Sequence, residues 1–198
     1  MNSLRRKISQ YAYCCLFKNN AMYIHITIFI LLLCGCTCPK SQMTNTLNKM
    51  IGTQVKLCIP QMECKQASSK SNSNFKMIVY IDSTECTPCA LSHLRYWNPL
   101  IKETKNIDIN YIFIIAPKTK EIYDINVEME ITDLENSIYL DKKYVFLKNN
   151  KNIPKETMYH TFLLDMNNKV VIVGNPIGNK RVKNLFYKII REYETKKN

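Results

Sequence analysis

Of the nine cysteines in this 198-residue chain, two stand in a spacing that suits thiol chemistry: Cys86-Thr87-Pro88-Cys89. Three residues apart on a helix, two side chains are neighbours on one face, close enough for a disulfide. Cys86 falls at the helix start, where unpaired N–H groups and the helix dipole favour a thiolate, and Pro88 is preset for the first turn. A thiolate there can attack a disulfide, and a second thiol one turn on can resolve the mixed disulfide. On this reading Cys86 is the more exposed and more acidic thiol, and Cys89 the shielded resolver. Glu85, directly ahead of Cys86, works the other way, because a carboxylate beside a thiol raises its pKa.

The same residues permit other uses. Two soft thiolates with an imidazole suit Cu(I) or Zn(II), which makes Cys86, Cys89 and His160 an alternative ligand set. His93 lies four residues after Cys89 and about two turns from Cys86, so it reads as a rim residue. The pair can also be a static disulfide in a protein that binds without turnover. Cys58 and Cys64 are close enough in sequence to form a local disulfide.

The elements that must position the pair follow from hydrophobic pattern. Residues 75–81 (FKMIVYI) form a continuous apolar run fit for a strand buried on both faces. A helix follows, with Ala90, Leu94, Trp97 and Ile101 on one stripe and Pro99 kinking it. Residues 109–116 (INYIFIIA) make a second buried strand, reached by a right-handed parallel crossover. Residues 118–134 read as partly helical, 137–140 as a short strand and 143–148 as a helical turn. Residues 161–165 and 169–173 form a hairpin through Met166-Asn167-Asn168, since asparagine tolerates positive φ. Val182, Leu185, Phe186, Ile189, Ile190 and Tyr193 give the last helix an apolar face. Ahead of this block, residues 44–51 suggest a short helix, 55–59 a strand stopped by Pro60, and 66–74 a loop. The order predicts one α/β layer sandwich with a mixed sheet.

The amino-terminal segment is of another kind. Residues 1–35 carry Arg5, Arg6, Lys7 and Lys18 and no acid, followed by a short apolar run and Leu33-Cys34-Gly35-Cys36. A positive region, a short apolar stretch and a small residue before cysteine mark an export signal. The run is too short to span a bilayer as a mature helix. Its end resembles a bacterial lipobox, which implies cleavage after Gly35 and a diacylated Cys36. The expected organisation is a lipoprotein signal peptide at 1–35, a lipid-anchored tether with a short helix at 36–52, and a folded domain at 53–198. Export places the cysteines where oxidants act. The chain has a net charge of +12, and without residues 1–35 its 28 Lys and Arg fall to 24 against 16 Asp and Glu. That surplus suits an anionic membrane surface under the anchor, and a solvated basic surface is its commonest explanation. No nucleic acid is expected as a partner, since it suits an exported chain poorly and no aromatic-basic recognition motif is present.

The strand FKMIVYIDST, the pair Cys86 and Cys89 with proline between them, the later TFLLD with its hairpin and the final amphipathic helix together resemble the thioredoxin-like superfamily. More narrowly, they resemble membrane-tethered thiol-disulfide oxidoreductases of the TlpA and ResA type and related thioredoxin-like lipoproteins. The resemblance covers residues 75–194. It implies a three-layer α/β/α sandwich with a mixed sheet, disulfide exchange at Cys86 and Cys89, and substrate contact at Tyr159 and His160, ahead of the TFLLD strand. The family usually carries a cis-proline there, and this chain does not. The resemblance further implies no cofactor, protein thiols or disulfides and an electron donor as partners, and a lipid-anchored site in the bacterial cell envelope facing the periplasm. Copper chaperones of the Sco type use CxxxC rather than CxxC spacing. Peroxiredoxins place a proline where Val79 stands, although Ser83 matches.

Overall fold

The computed structural model describes residues 39–66, 73–122 and 136–197. The expected signal segment, Cys36, most of the 66–74 loop and much of the 118–134 stretch lie outside the described residues. The chain divides into two units, Met1–Asn45 and Thr46–Asn198. Of the first, the described part is the beginning of helix α1 (Pro39–Met50), which starts five residues ahead of the expected 44–51. Proline suits a first helical position. In the second unit, α1 ends where Gly52 takes φ 78, a left-handed conformation glycine adopts without a Cβ penalty.

Six strands make one sheet: β1 (Glu63–Gln66), β2 (Phe75–Ile81), β3 (Ile109–Ile115), β4 (Ser137–Leu140), β5 (Thr161–Leu164) and β6 (Val170–Val173). Their spatial order is β1-β4-β3-β2-β5-β6. The β4-β3-β2 portion is parallel, and β1, β5 and β6 join antiparallel. All seven residues of β2 are buried, as an unbroken apolar run requires. Phe75, Met77, Val79 and Ile81 face one core with Leu91, Trp97, Phe113 and Phe186. Ile78 and Tyr80 face a second core with Met50, Phe146 and Phe162. Helices thus cover both faces, and the three-layer mixed-sheet expectation holds.

The helix after β2 is broken in three: α2 (Thr87–His93), a 3₁₀ turn (Leu94–Trp97) and α3 (Asn98–Glu103). Pro99 has no N–H with which to continue the ladder, so the break precedes it. The tighter winding shifts the buried stripe to every third residue, Leu91, Leu94, Trp97 and Leu100, and leaves Ala90 and Ile101 at its edges.

Residues 55–59 are not a strand. Gln54 makes an isolated bridge to Lys169, the N–H of Val55 donates to Asn168 O at 2.8 Å, and a 3₁₀ turn follows at Ile59–Gln61. The edge strand falls instead at β1, whose polar residues give no apolar pattern; Glu63 there pairs with Lys65 at 2.6 Å and with Lys142. Helix α4 (Val145–Asn149) occupies the expected turn, opened by Asp141, whose buried carboxylate accepts from the N–H of Val145 at 2.7 Å and of Phe146 at 2.8 Å. The hairpin turns at Asn168 with φ 59, braced by Asp165 Oδ1 on the N–H groups of Asn167 and Lys169. In the last helix, α5 (Lys180–Lys197), Phe186 and Ile190 are buried and Val182, Ile189 and Tyr193 pack beside them. Leu185 is 45% exposed and is not part of the covered face.

Candidate functional site

Strand β2 delivers the chain into a turn at residues 82–85. The N–H of Thr84 donates to Asp82 Oδ1 at 2.8 Å, and that of Glu85 to Asp82 O at 3.0 Å. Glu85 folds back so that its Oε1 meets the N–H of Asp82 at 3.4 Å. Cys86 is the residue that caps α2, extended at φ −74 and ψ 102, and its carbonyl accepts the N–H of Ala90 at 2.9 Å. Cys86 and Cys89 are bonded to each other, with Cα atoms 5.3 Å apart.

Both cysteines are exposed, so the expectation of a shielded Cys89 is not met. The cause is helical geometry: Thr87 and Leu91, four residues apart, take the buried face, which turns Cys86 and Cys89 outward together. Thr87 is wholly buried, and its hydroxyl donates to Glu121 Oε2 at 2.7 Å. Glu121 comes from a 3₁₀ turn (Thr119–Glu121) after β3, with Lys118 Nζ 3.8 Å away. The Thr87 hydroxyl, more than any other neighbour, holds the Glu121 carboxyl below its ordinary range. Sequence reading missed this contact. The available signal was a polar residue one helical turn ahead of the buried Leu91.

Beside the pair lies a cleft of about 340 Å³. Val79, Leu94 and Trp97 line it, with Glu85, Ala90 and His93 contributed from the cysteine side and Thr157, Met158, Thr161 and Asn175 from the other. His93 is exposed, a rim residue as expected, with its ring 5.6 Å from that of Tyr96. Tyr159 and His160, expected to contact substrate, are instead buried at 7% and 1% exposure. Tyr159 belongs to the second core, and the His160 ring stands edge-on to Tyr80, also of that core, at 5.1 Å. Because the Pro154 carbonyl can only accept, the contact at 2.9 Å makes His160 Nε2 the protonated nitrogen; Nδ1 is buried without a hydrogen bond. Strand alternation explains the difference. With Phe162 and Tyr80 turned to the second core, Thr161 faces the cleft and the residue before it faces away. The segment therefore presents Thr157, Met158 and Thr161.

No family model matches the sequence, and no curated protein matches it. Solved structures do. A Chlorobium tepidum protein described as a candidate thiol:disulfide interchange protein DsbE superposes with a TM-score of 0.50 at 14% identity, over 71% of this chain and 97% of that one. A thioredoxin-like protein solved in its oxidised form gives 0.51 at 12% identity, over 73% and 98%. This chain has the thioredoxin-like fold. The likeness is one of architecture, and the chemistry rests on the residues above.

On this thioredoxin-like fold the strand-to-helix junction carries a bonded cysteine pair, and no cis peptide bond occurs among the described residues, the Tyr159-His160-Thr161 stretch included. The alternative ligand set is not assembled, because His160 lies in the core while both cysteines face solvent. Among the described residues no three His, Cys, Asp or Glu side chains converge on a metal position. Cys58 and Cys64 are free thiols, not a disulfide. Cys58 sits half-buried in a left-handed conformation at φ 55, where burial, with a smaller push from Asp141, raises its thiol pKa; Cys64 is exposed on β1. Among the described residues no helix is long and apolar enough to cross a membrane.

Proposed function

We propose that this chain exchanges disulfides with protein thiols through Cys86 and Cys89, tethered by a lipid on Cys36 to the periplasmic side of a bacterial envelope membrane. The observation that carries the reading is the bonded, exposed pair at the end of β2 on a thioredoxin-like fold, next to a cleft. Cys86 is the attacking sulfur, since it stands at the N-terminal end of α2, where first-turn N–H groups favour a thiolate and no side-chain capping bond is made. In the reducing direction, the Cys86 thiolate attacks one sulfur of a substrate disulfide, a new S–S bond forms, and the other substrate sulfur leaves as a thiolate and takes a proton. The Cys89 thiolate then attacks Cys86 Sγ, closing the 86–89 disulfide and releasing the second substrate thiol. Two electrons have passed to the substrate, and a dithiol donor must return them. The oxidising direction reverses each step. Sulfur alone carries the electrons, so no cofactor is required.

Two measurements test the reading. A Cys89→Ala variant should accumulate mixed disulfides with partner proteins and Cys86→Ala few; equal trapping or none would overturn it. The potential of the pair sets the direction, a value near about −270 mV marking a reductase and one near about −120 mV an oxidant. The tether is supported by Leu33-Cys34-Gly35-Cys36 behind a basic, then apolar, segment. Mass spectrometry of the native protein should find a lipid on Cys36 and no peptide from residues 1–35. A Cys36→Ser variant that still matures and anchors would refute the tether.

A further inference from the structure

We propose that Glu121 is a positioning residue for the redox pair: its carboxylate, anchored by the Thr87 hydroxyl, holds the first turn of α2 and opposes the Cys86 thiolate. Thr87 is covalently next to Cys86 and wholly buried. A threonine hydroxyl in a helix usually bonds nearby backbone. This one instead donates at 2.7 Å to a carboxylate 34 residues away, on the segment leaving β3. The Glu121 side chain is only 15% exposed, and its cation, Lys118, is 45% exposed with Nζ at 3.8 Å, too far for a close hydrogen-bonded ion pair. A negative charge is thereby fixed against the turn that bears Cys86, which has no side-chain capping bond of its own. The other charged or titratable groups on the segments that meet here are Asp82 and Glu85 in the preceding turn, Lys118 and Lys120 flanking Glu121, and His93 at the end of α2. Glu85 Oε1 is directed to the N–H of Asp82. The depressed carboxyl of Glu121 agrees with an anion held in place rather than one free to protonate.

The chemical consequence has a definite sign. Reducing the 86–89 disulfide takes two electrons, with two protons if both thiols stay protonated and one if Cys86 remains a thiolate. A fixed neighbouring anion disfavours the thiolate. Less of the reduced form is then stabilised as thiolate, and the pair becomes the stronger reductant. The inference rests on the exchange reading only in naming Cys86 as the reacting thiol.

The test compares Glu121→Gln, which removes the charge and keeps a hydrogen-bond acceptor, with wild type on the whole chain. Readouts are the Cys86 thiol pKa, from the pH dependence of alkylation, and the potential against a glutathione buffer. The Cys86 pKa should fall by roughly half a unit or more, about a threefold gain in thiolate at a pH below it. The potential should rise by roughly 15 mV, half of the tenfold increment. Glu63→Gln, on the remote edge strand, should change neither. Thr87→Val, which keeps the charge and frees the carboxylate, should move the pKa in the same direction, and Thr87→Ser should restore it. If Glu121→Gln does not fold, the Thr87 pair decides. Unchanged values in Glu121→Gln, or in Thr87→Val, overturn the proposal. Both quantities are readable whether or not a partner is ever trapped, so loss of the exchange reading is a separate result.

Discussion

Reducing the Cys86–Cys89 bond should leave the domain folded, and the size of the loss can be worked from the structure. The bond closes a loop of sequence separation 3, among the shortest a disulfide can make. In the chain-entropy treatment such a loop contributes only about 2 kcal/mol at 25 °C, against about 3 kcal/mol for a fifteen-residue loop. What holds α2 to the sheet is the burial of Thr87, Leu91, Leu94 and Trp97, none of which depends on the bond. For a domain of this size about 2 kcal/mol lowers the Tm by roughly 4 to 8 °C. Thermal unfolding followed by circular dichroism, with and without reductant, measures this, and a Cys86→Ser/Cys89→Ser variant should match the reduced protein. Linkage adds a check, since a bond that stabilises the fold by about 2 kcal/mol is itself stabilised equally by the fold. The pair should therefore be roughly 40 mV more reducing in the folded chain than in urea. Unfolding at 25 °C on reduction would refute the reasoning and make the bond a structural staple, because an exchanger must survive both states.

Three further outcomes follow from the packing. Val79→Asp puts an unpaired carboxylate into a central strand where Val79 is 8% exposed, and should cost more than about 3 kcal/mol in urea unfolding, enough to unfold a marginal domain; an unchanged midpoint would contradict the assignment of β2. Asp141→Ala strips the cap from α4 and leaves the buried N–H of Phe146 and the half-buried N–H of Val145 without their acceptor, so a loss of about 2 to 4 kcal/mol is expected by the same assay, with Asp141→Asn milder. In acid, Glu103 is held low chiefly by the Tyr187 hydroxyl, and Glu121 by Thr87. Because their folded pKa values lie below the unfolded ones, their contribution is complete above the ordinary value of 4.5 and is lost as pH falls through the folded values. In alkali, burial pushes Tyr111 up to about 12, so stability is intact below its ordinary value of 10.0 and declines as pH climbs toward 12. A flat Tm between pH 10 and 12 would refute the alkaline arm.

The parts of this fold that were legible are those in which side-chain pattern and environment agree. The unbroken runs in β2 and β3 meet an environment buried on both faces, and Asn168 at the hairpin meets a backbone that needs positive φ. Legibility failed where backbone hydrogen bonds, rather than apolar burial, define the element. The N–H of Gly52 donates to Val170 O and that of Val170 to Thr53 O, so residues 52–55 are clipped to the hairpin without becoming a strand. Strand β1 is exposed and polar, and its partner β4 lies some seventy residues later.

The site divides along the same line. The spacing of Cys86 and Cys89 is a local property and appears as a bonded pair. The direction each neighbour points is a property of the whole sheet. Register places Val79 against Thr161, and alternation from that point sends His160 into the second core and Thr161 to the cleft. No count along the sequence reveals which of two adjacent residues faces the cleft until that register is known. Once it is known, the wall opposite the disulfide consists of a methionine, two threonines and an asparagine rather than two aromatic rings. Apart from Glu85, no carboxylate lines the cleft, and the wall formed by Thr157, Met158, Thr161 and Asn175 is uncharged. On the proposed function, a polypeptide approaching Cys86 would be oriented on that side by shape and backbone contact, and on the Glu121 proposal the acidity of the thiol it met would be set from beneath, through the Thr87 hydroxyl on the Glu121 carboxylate.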